Sequence, residues 1–106
     1  MLSKKKREQK PENKPEITII QRSLGFSSQF KEDLAWWFRQ DKKKASKILD
    51  LITAITIDPL QGIGKPEPLK YLDSDTWFRR IDLEHRLIYR VSEVQIDLLT
   101  CRYHYQ

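Results

Sequence analysis

Glu67 lies in the string Lys65-Pro66-Glu67-Pro68-Leu69-Lys70, where two prolines restrict the backbone on either side of one carboxylate and a lysine stands at each end. A stiff loop of this kind aims a single acid, although the same string in isolation is more often a solvated turn. Arg79 and Arg80 follow on one β-rich stretch and Arg86 on the next. With an odd number of residues in the connection, Arg80 faces Arg86 directly across a hairpin. Two guanidinium groups so placed repel each other unless Asp82 or Glu84 neutralises one of them or an anion sits between them. Phosphate is an anion that paired guanidinium groups hold well. The chain closes with Cys101-Arg102-Tyr103-His104-Tyr105-Gln106, and an imidazole is the side chain best suited to donate a proton near neutral pH. His85 reads as an ordinary core or surface histidine.

One carboxylate, several arginines and one histidine, with no nucleophilic Ser or Cys motif, suit a substrate that carries its own nucleophile. RNA is such a substrate. A base takes the proton of the ribose 2′-hydroxyl, that oxygen attacks the adjacent phosphorus, guanidinium groups stabilise the added charge, and an acid protonates the leaving 5′-oxygen. The expected products are a 2′,3′-cyclic phosphate and a 5′-hydroxyl, with DNA inert for want of the 2′-hydroxyl.

The elements that must position these residues are short. Residues 16–21 are β-branched enough for a first strand, with a turn at 23–28. Ser27 or Ser28 caps a helix with Glu32 and Asp33 expected in its first turn and Phe30, Leu34, Trp37 and Phe38 as its buried stripe; Trp36 falls off that stripe. A second helix is predicted over 42–56, with Ala45, Ile48, Leu49, Ile52 and Ile55 inward, and Asp58-Pro59 ends it. After a Gly- and Pro-rich connection at 61–68, strands are expected at 76–82, 85–91 and 94–103. The fold class is therefore α+β, in the order β-α-α-β-β-β: a mainly antiparallel twisted sheet with both helices on one face. Phe78 and Ile88 then share the open face with Arg80 and Arg86, while Trp77, Ile81, Leu87 and Tyr89 point to the helices. Strict alternation from a turn at Ser92-Glu93 would put Val94, Ile96, Leu98 and His104 on the core face. Bringing His104 to the open face requires a bulge or a longer turn.

Bulk composition bounds the function from outside. At 106 residues, with 39% hydrophobic content, the chain suits one core, which we divide into a flexible basic tail at 1–15 and a single domain at 16–106. The net charge of +5 is concentrated in the tail, which holds +4 and leaves +1 for the rest, so any basic site in the domain is a local cluster. One cysteine and two histidines supply neither a disulfide nor a metal-ligand pattern, so no cofactor or metal is expected. No run of residues is apolar enough for a membrane span or a signal peptide, and the cytoplasm is the expected compartment.

Gly62-Ile63-Gly64-Lys65-Pro66-Glu67-Pro68-Leu69-Lys70, Trp77-Phe78-Arg79-Arg80-Ile81, Glu84-His85-Arg86-Leu87-Ile88-Tyr89 and Cys101-Arg102-Tyr103-His104-Tyr105 closely resemble the Txe/YoeB toxins of bacterial toxin–antitoxin pairs, within the RelE-like superfamily. The resemblance runs from about residue 29 to 105 in unbroken order. It implies a microbial-ribonuclease-like sheet and cleavage of mRNA in the ribosomal A site, which inhibits translation. By position it makes Glu67 the general base, His104 the general acid and Arg80 and Arg86 the phosphate-stabilising arginines, with Lys65, Lys70 and Tyr105 near the RNA. It implies a cognate antitoxin that wraps the toxin, the ribosome and mRNA as partners, and a toxin that can be a homodimer. Operator DNA is met only through the antitoxin. The basic tail has no counterpart in the family.

Two readings of other classes compete. One is a non-enzymatic protein of the same fold, either a ParE-like gyrase poison or an antitoxin-bound co-repressor; ParE-like chains lack the Glu, Arg and His set. The other is a general RNA-binding module, which the nearly neutral domain and the lack of RNP or K-homology signatures disfavour.

Overall fold

Ser27 opens the first helix of the computed structural model, which describes residues 21–69 and 75–103. Its hydroxyl accepts from the Phe30 N–H at 3.0 Å, and helix α1 spans Ser28–Gln40. Asp41 then caps helix α2, Lys42–Ile57, by accepting from the N–H groups of Lys43 and Lys44. Asp58 closes α2 in an extended conformation, as its position before Pro59 demands. The first turn of α1 holds no acid, because the helix begins early enough to leave Glu32 and Asp33 in its second turn. Asp33 is instead buried, where it accepts from the Cys101 N–H at 3.0 Å.

Five strands form one sheet: β1 Ser23–Phe26, β2 Glu67–Pro68, β3 Thr76–Arg80, β4 Arg86–Val91 and β5 Gln95–Thr100. Their spatial order is β1-β5-β4-β3-β2, with β1 parallel to β5 and the other pairs antiparallel. The chain order is the expected one with β2 added at the end of the Gly- and Pro-rich connection. The first strand is a correction. It occupies Ser23–Phe26, where a turn was expected, while Gln21 lies outside it and residues 1–20, which include the basic tail and most of the expected strand, lie outside the described part. Small residues there serve close pairing: a Cβ on Gly25 would stand 2.7 Å from the Asp97 carboxylate on β5. Tertiary pairing overrides the weak strand propensity of Ser and Gly.

The core lies between the helices and one face of the sheet. Phe30 and Trp37 from α1, Ala45, Ile48, Leu51, Ile52 and Ile55 from α2, and Ile81, Leu87, Tyr89, Ile96 and Leu98 make one buried cluster. Trp77 and the half-buried Trp36 pack against it. Phe38 and Leu49, both read as inward, are each 44% exposed, whereas Leu51, not assigned inward, is fully buried. The buried arc of each helix is rotated slightly from the stripe drawn by spacing alone.

β4 and β5 are joined by a tight turn in which the Ser92 N–H donates to Gln95 O at 2.8 Å, which leaves Val94 exposed in the turn instead of on the core face. Further along, Tyr89 pairs with Leu98 but Ile88 pairs with Thr100, so Leu99 is an extra residue on β5. That bulge reverses the phase of the strand. Leu98 points to the core and Thr100 shares the face of Ile88, where unbroken alternation would have kept both on one side.

Candidate active site

β3 and β4 pair in a register that sets Arg80 directly opposite Arg86, with Phe78 opposite Ile88 on the same face, away from the helices. The odd connection anticipated from sequence is the one found. Arg86 hooks back onto its own turn: its Nη1 donates to Asp82 O at 2.9 Å and to His85 O at 3.2 Å, and its guanidinium carbon lies 5.7 Å from the centre of the Phe78 ring. Arg80 donates its backbone N–H to Gly64 O at 2.8 Å. Its side-chain Nε is buried with no hydrogen-bond partner among the described residues.

Of the two acids nearest in sequence, Asp82 is engaged elsewhere and Glu84 forms no ion pair with either arginine among the described residues. Asp82 Oδ2 accepts from Lys44 Nζ at 2.8 Å, and its Oδ1 accepts from the N–H groups of Glu84 and His85. Burial opposes ionisation of Asp82, but the Lys44 contact and the two backbone donors outweigh it and hold the carboxyl below the ordinary aspartate range. The same contact raises Lys44. Glu84 lies 3.6 Å from His85 Nε2. Among the described residues the carboxylate that approaches Arg80 is Glu67, whose Oε2 stands 3.8 Å from Arg80 Nη2, with both side chains about half exposed. At that distance and exposure the attraction is weak, so it does not satisfy Arg80.

Glu67 is positioned by β2, where it pairs with Phe78, and by the loop before it. Arg79, which alternates to the core side, holds that loop. Fully buried, its Nε donates to the Tyr89 hydroxyl (3.1 Å), Nη1 to Ile63 O (3.0 Å), and Nη2 to Asp58 O (2.6 Å) and Gln61 O (2.8 Å). The Tyr89 hydroxyl in turn donates to Pro59 O at 2.6 Å. Burial raises the Tyr89 pKa, which keeps the phenol a donor. Among these partners no carboxylate balances the guanidinium; backbone carbonyl oxygens do, one of which, that of Asp58, lies at the negative end of α2. The loop fits tightly, since a Cβ on Gly64 (φ 85°) would lie 2.8 Å from Leu51 and 3.0 Å from Arg79. Lys65 follows at φ 51° and is exposed. Sequence reasoning did not single out Arg79. Its signal is an arginine at a core-facing position between Trp77 and Ile81.

Lys70, His104 and Tyr105 lie outside the described residues. The segment leading to the last two is firmly tied. Trp37 Nε1 donates to Cys101 O at 2.7 Å, the Asp33 carboxylate takes the Cys101 N–H, and burial pushes the Cys101 thiol far up, out of any reactive range. Arg102 stacks 3.7 Å over Trp36. His85, read from sequence as unremarkable, accepts the Tyr103 N–H.

A sequence profile of YoeB-like toxins of bacterial type II toxin–antitoxin systems matches residues 26–105. The chain belongs to this toxin family. The toxin RelK of Mycobacterium tuberculosis is 48% identical over 84 residues, covering 79% of this chain and 99% of that protein. The toxin YoeB of Escherichia coli K12 is 43% identical over 82 residues, covering 77% and 98%. Among solved structures, the YoeB dimer from Staphylococcus aureus superposes with a TM-score of 0.73 at 41% identity, covering 80% of this chain and 99% of that one. The S. aureus YoeB–YefM complex gives 0.67 at 38% identity, with coverage of 79% and 98%. The E. coli DinJ–YafQ complex, at 20% identity and a TM-score of 0.68, shares the fold. The RelE/YoeB-like architecture expected from sequence is thus the one this YoeB-family toxin adopts. Among its described residues no helix is long and apolar enough to cross a membrane.

Proposed function

We propose that this YoeB-family toxin is a metal-independent endoribonuclease that cleaves mRNA in the ribosomal A site and so inhibits translation. The observation that carries the reading is the opposed pair Arg80 and Arg86 on the open face, neither neutralised by Asp82 or Glu84, with Glu67 3.8 Å from Arg80. Two cations held face to face lower the cost of a dianionic phosphorane, and a carboxylate beside them is placed to take a proton. In this mechanism Glu67 removes the 2′-hydroxyl proton, that oxygen attacks phosphorus, Arg80 and Arg86 stabilise the charge, and His104 protonates the departing 5′-oxygen. A 2′,3′-cyclic phosphate and a 5′-hydroxyl result. Lys65, Lys70 and Tyr105 contact the RNA. Phe78, whose ring centre lies 5.7 Å from the Arg86 guanidinium carbon, adds a surface on which a base can stack.

The partners are the ribosome with its mRNA and a cognate antitoxin, in the manner of the S. aureus YoeB–YefM complexes; a homodimer is proposed on the pattern of the S. aureus YoeB dimer. Operator DNA is engaged only through the antitoxin, and the site of action is the cytoplasm. The test is cleavage of a defined mRNA by purified protein with and without programmed ribosomes, with end-group analysis and Arg86→Ala as control. Ribosome-dependent cuts that leave a cyclic phosphate and disappear in the variant are the expected result. No cutting under any condition would discard the nuclease reading.

A further inference from the structure

His85 sits at the end of the β3–β4 turn, 8% exposed, with its ring edge-on to Trp37 at 4.8 Å between centroids and 5.3 Å from the Tyr103 ring. Its backbone is fixed by the Asp82 carboxylate, which accepts its N–H. Its Nδ1 accepts the Tyr103 backbone N–H at 2.6 Å. Accepting there requires a free lone pair, so the ring is the neutral tautomer with its proton on Nε2, the nitrogen 3.6 Å from Glu84.

Tyr103 is an unusual residue to hold. Its φ of 65° is in the left-handed region that aromatic side chains rarely adopt, and its carbonyl accepts the Arg86 backbone N–H at 2.8 Å. Both backbone polar groups of Tyr103 are therefore occupied by consecutive residues, His85 and Arg86. A conformation disfavoured by sterics persists where surrounding contacts over-determine it, and such positions gather at working sites. His104 is the next residue in the chain.

We infer that His85 is a positioning residue: its imidazole Nδ1 latches the backbone of Tyr103, the residue that precedes His104 in the chain, and so ties that point to the strand that carries Arg86. The inference rests on the reading of His104 as the general acid. Packing alone does not require this histidine, since a phenyl ring would fill the place against Trp37. What a phenyl ring lacks is the acceptor.

Three full-length variants separate the roles. His85→Phe keeps the aromatic contact and removes the acceptor; His85→Asn brings a side-chain oxygen near the place of Nδ1; His85→Gln carries its oxygen further out, toward the place of Nε2. Two quantities are read: Tyr103 amide hydrogen exchange by NMR, and steady-state cleavage of mRNA on programmed ribosomes. Exchange at Tyr103 should accelerate by about tenfold or more in Phe and Gln, with kcat down about tenfold or more and KM within about twofold, and Asn should restore both. Should His85→Phe fail to fold, the Gln and Asn pair decides. Equal protection of Tyr103 in all variants, or equal cleavage by the Asn and Gln variants, overturns the latch. If the wild-type chain cuts no RNA while Tyr103 follows the expected order, the nuclease reading fails and the latch stands as a structural contact without the positioning role.

Discussion

Arg80 and Arg86 occupy directly opposed positions on β3 and β4, and among the described residues neither Asp82, which pairs with Lys44, nor Glu84 forms an ion pair with either of them. Like charges opposed across an antiparallel pair destabilise the sheet, typically by a few tenths to about 1 kcal/mol. Arg80→Met should therefore leave the melting temperature unchanged or raise it slightly, while cleavage falls by about two orders of magnitude. Sulfate or phosphate should raise the melting temperature of the wild-type chain more than that of the variant, because an anion that binds the folded site stabilises it. Equal stabilisation of both proteins by the anion would show that this pair is not an anion site.

Glu67 and His104 are assigned the proton transfers. Glu67→Gln and His104→Gln should each reduce cleavage by roughly two orders of magnitude or more, with cooperative melting kept, since Glu67 is half exposed and supports no core contact. Single-turnover rates on programmed ribosomes check this. Near wild-type rates in both variants would remove them from the mechanism.

Arg79 bears on stability and on the site together. Its four hydrogen bonds to three loop carbonyls and the Tyr89 hydroxyl are made by a fully buried cation. Arg79→Leu removes all four bonds and leaves partly buried loop carbonyls and the buried Tyr89 hydroxyl short of a partner, at a cost of about 3 kcal/mol, or more than about 10 °C in melting temperature for a domain of this size. Tyr89→Phe should cost less, about 1 to 2 kcal/mol, by removing one hydroxyl that accepts from Arg79 Nε and donates to Pro59 O. Thermal melts of the two variants give the ordering, and an Arg79→Leu protein as stable as wild type would refute the assignment of this residue as the anchor of the Glu67 loop.

Much of this architecture is legible in local pattern. The start of α1 follows from Ser27 and the end of α2 from Asp58-Pro59, and the opposition of Arg80 and Arg86 follows from counting residues through one turn. What escapes is set by contacts remote in sequence. β1 is a strand because β5 lies beside it, not because Ser23–Phe26 favours one. Asp33 looks like a charge for a helix start and is a buried acceptor for Cys101, 68 residues away. The bulge at Leu99 has no signature in Leu98-Leu99-Thr100, yet it shifts the phase of β5 so that Thr100 shares the face of Ile88. His104 itself lies outside the described residues, so its role stands as proposed.

The Lys44–Asp82 pair ties α2 to the turn that orients Arg86, and its strength depends on pH in a definite sense. Asp82 has its folded pKa lowered, so its contribution is complete above the ordinary aspartate range and is lost as pH falls through the depressed folded value. Lys44 has its folded pKa raised, so its contribution is complete below the ordinary lysine range and is lost as pH rises through the raised value. The pair therefore acts across the neutral range. Side-chain exposures of 34% and 25% allow solvent to screen it, and about 0.5 kcal/mol is a fair expectation for the charge. Asp82→Asn preserves the shape of the side chain and removes the charge, so it should melt about 2 to 4 °C below wild type at pH 7. That gap should close in acid, once the wild-type carboxyl is itself protonated. Melting curves of the two proteins from pH 7 down to the acid limit of folding test this, and a gap that persists unchanged would assign the loss to the turn hydrogen bonds to Glu84 and His85 in place of the ion pair.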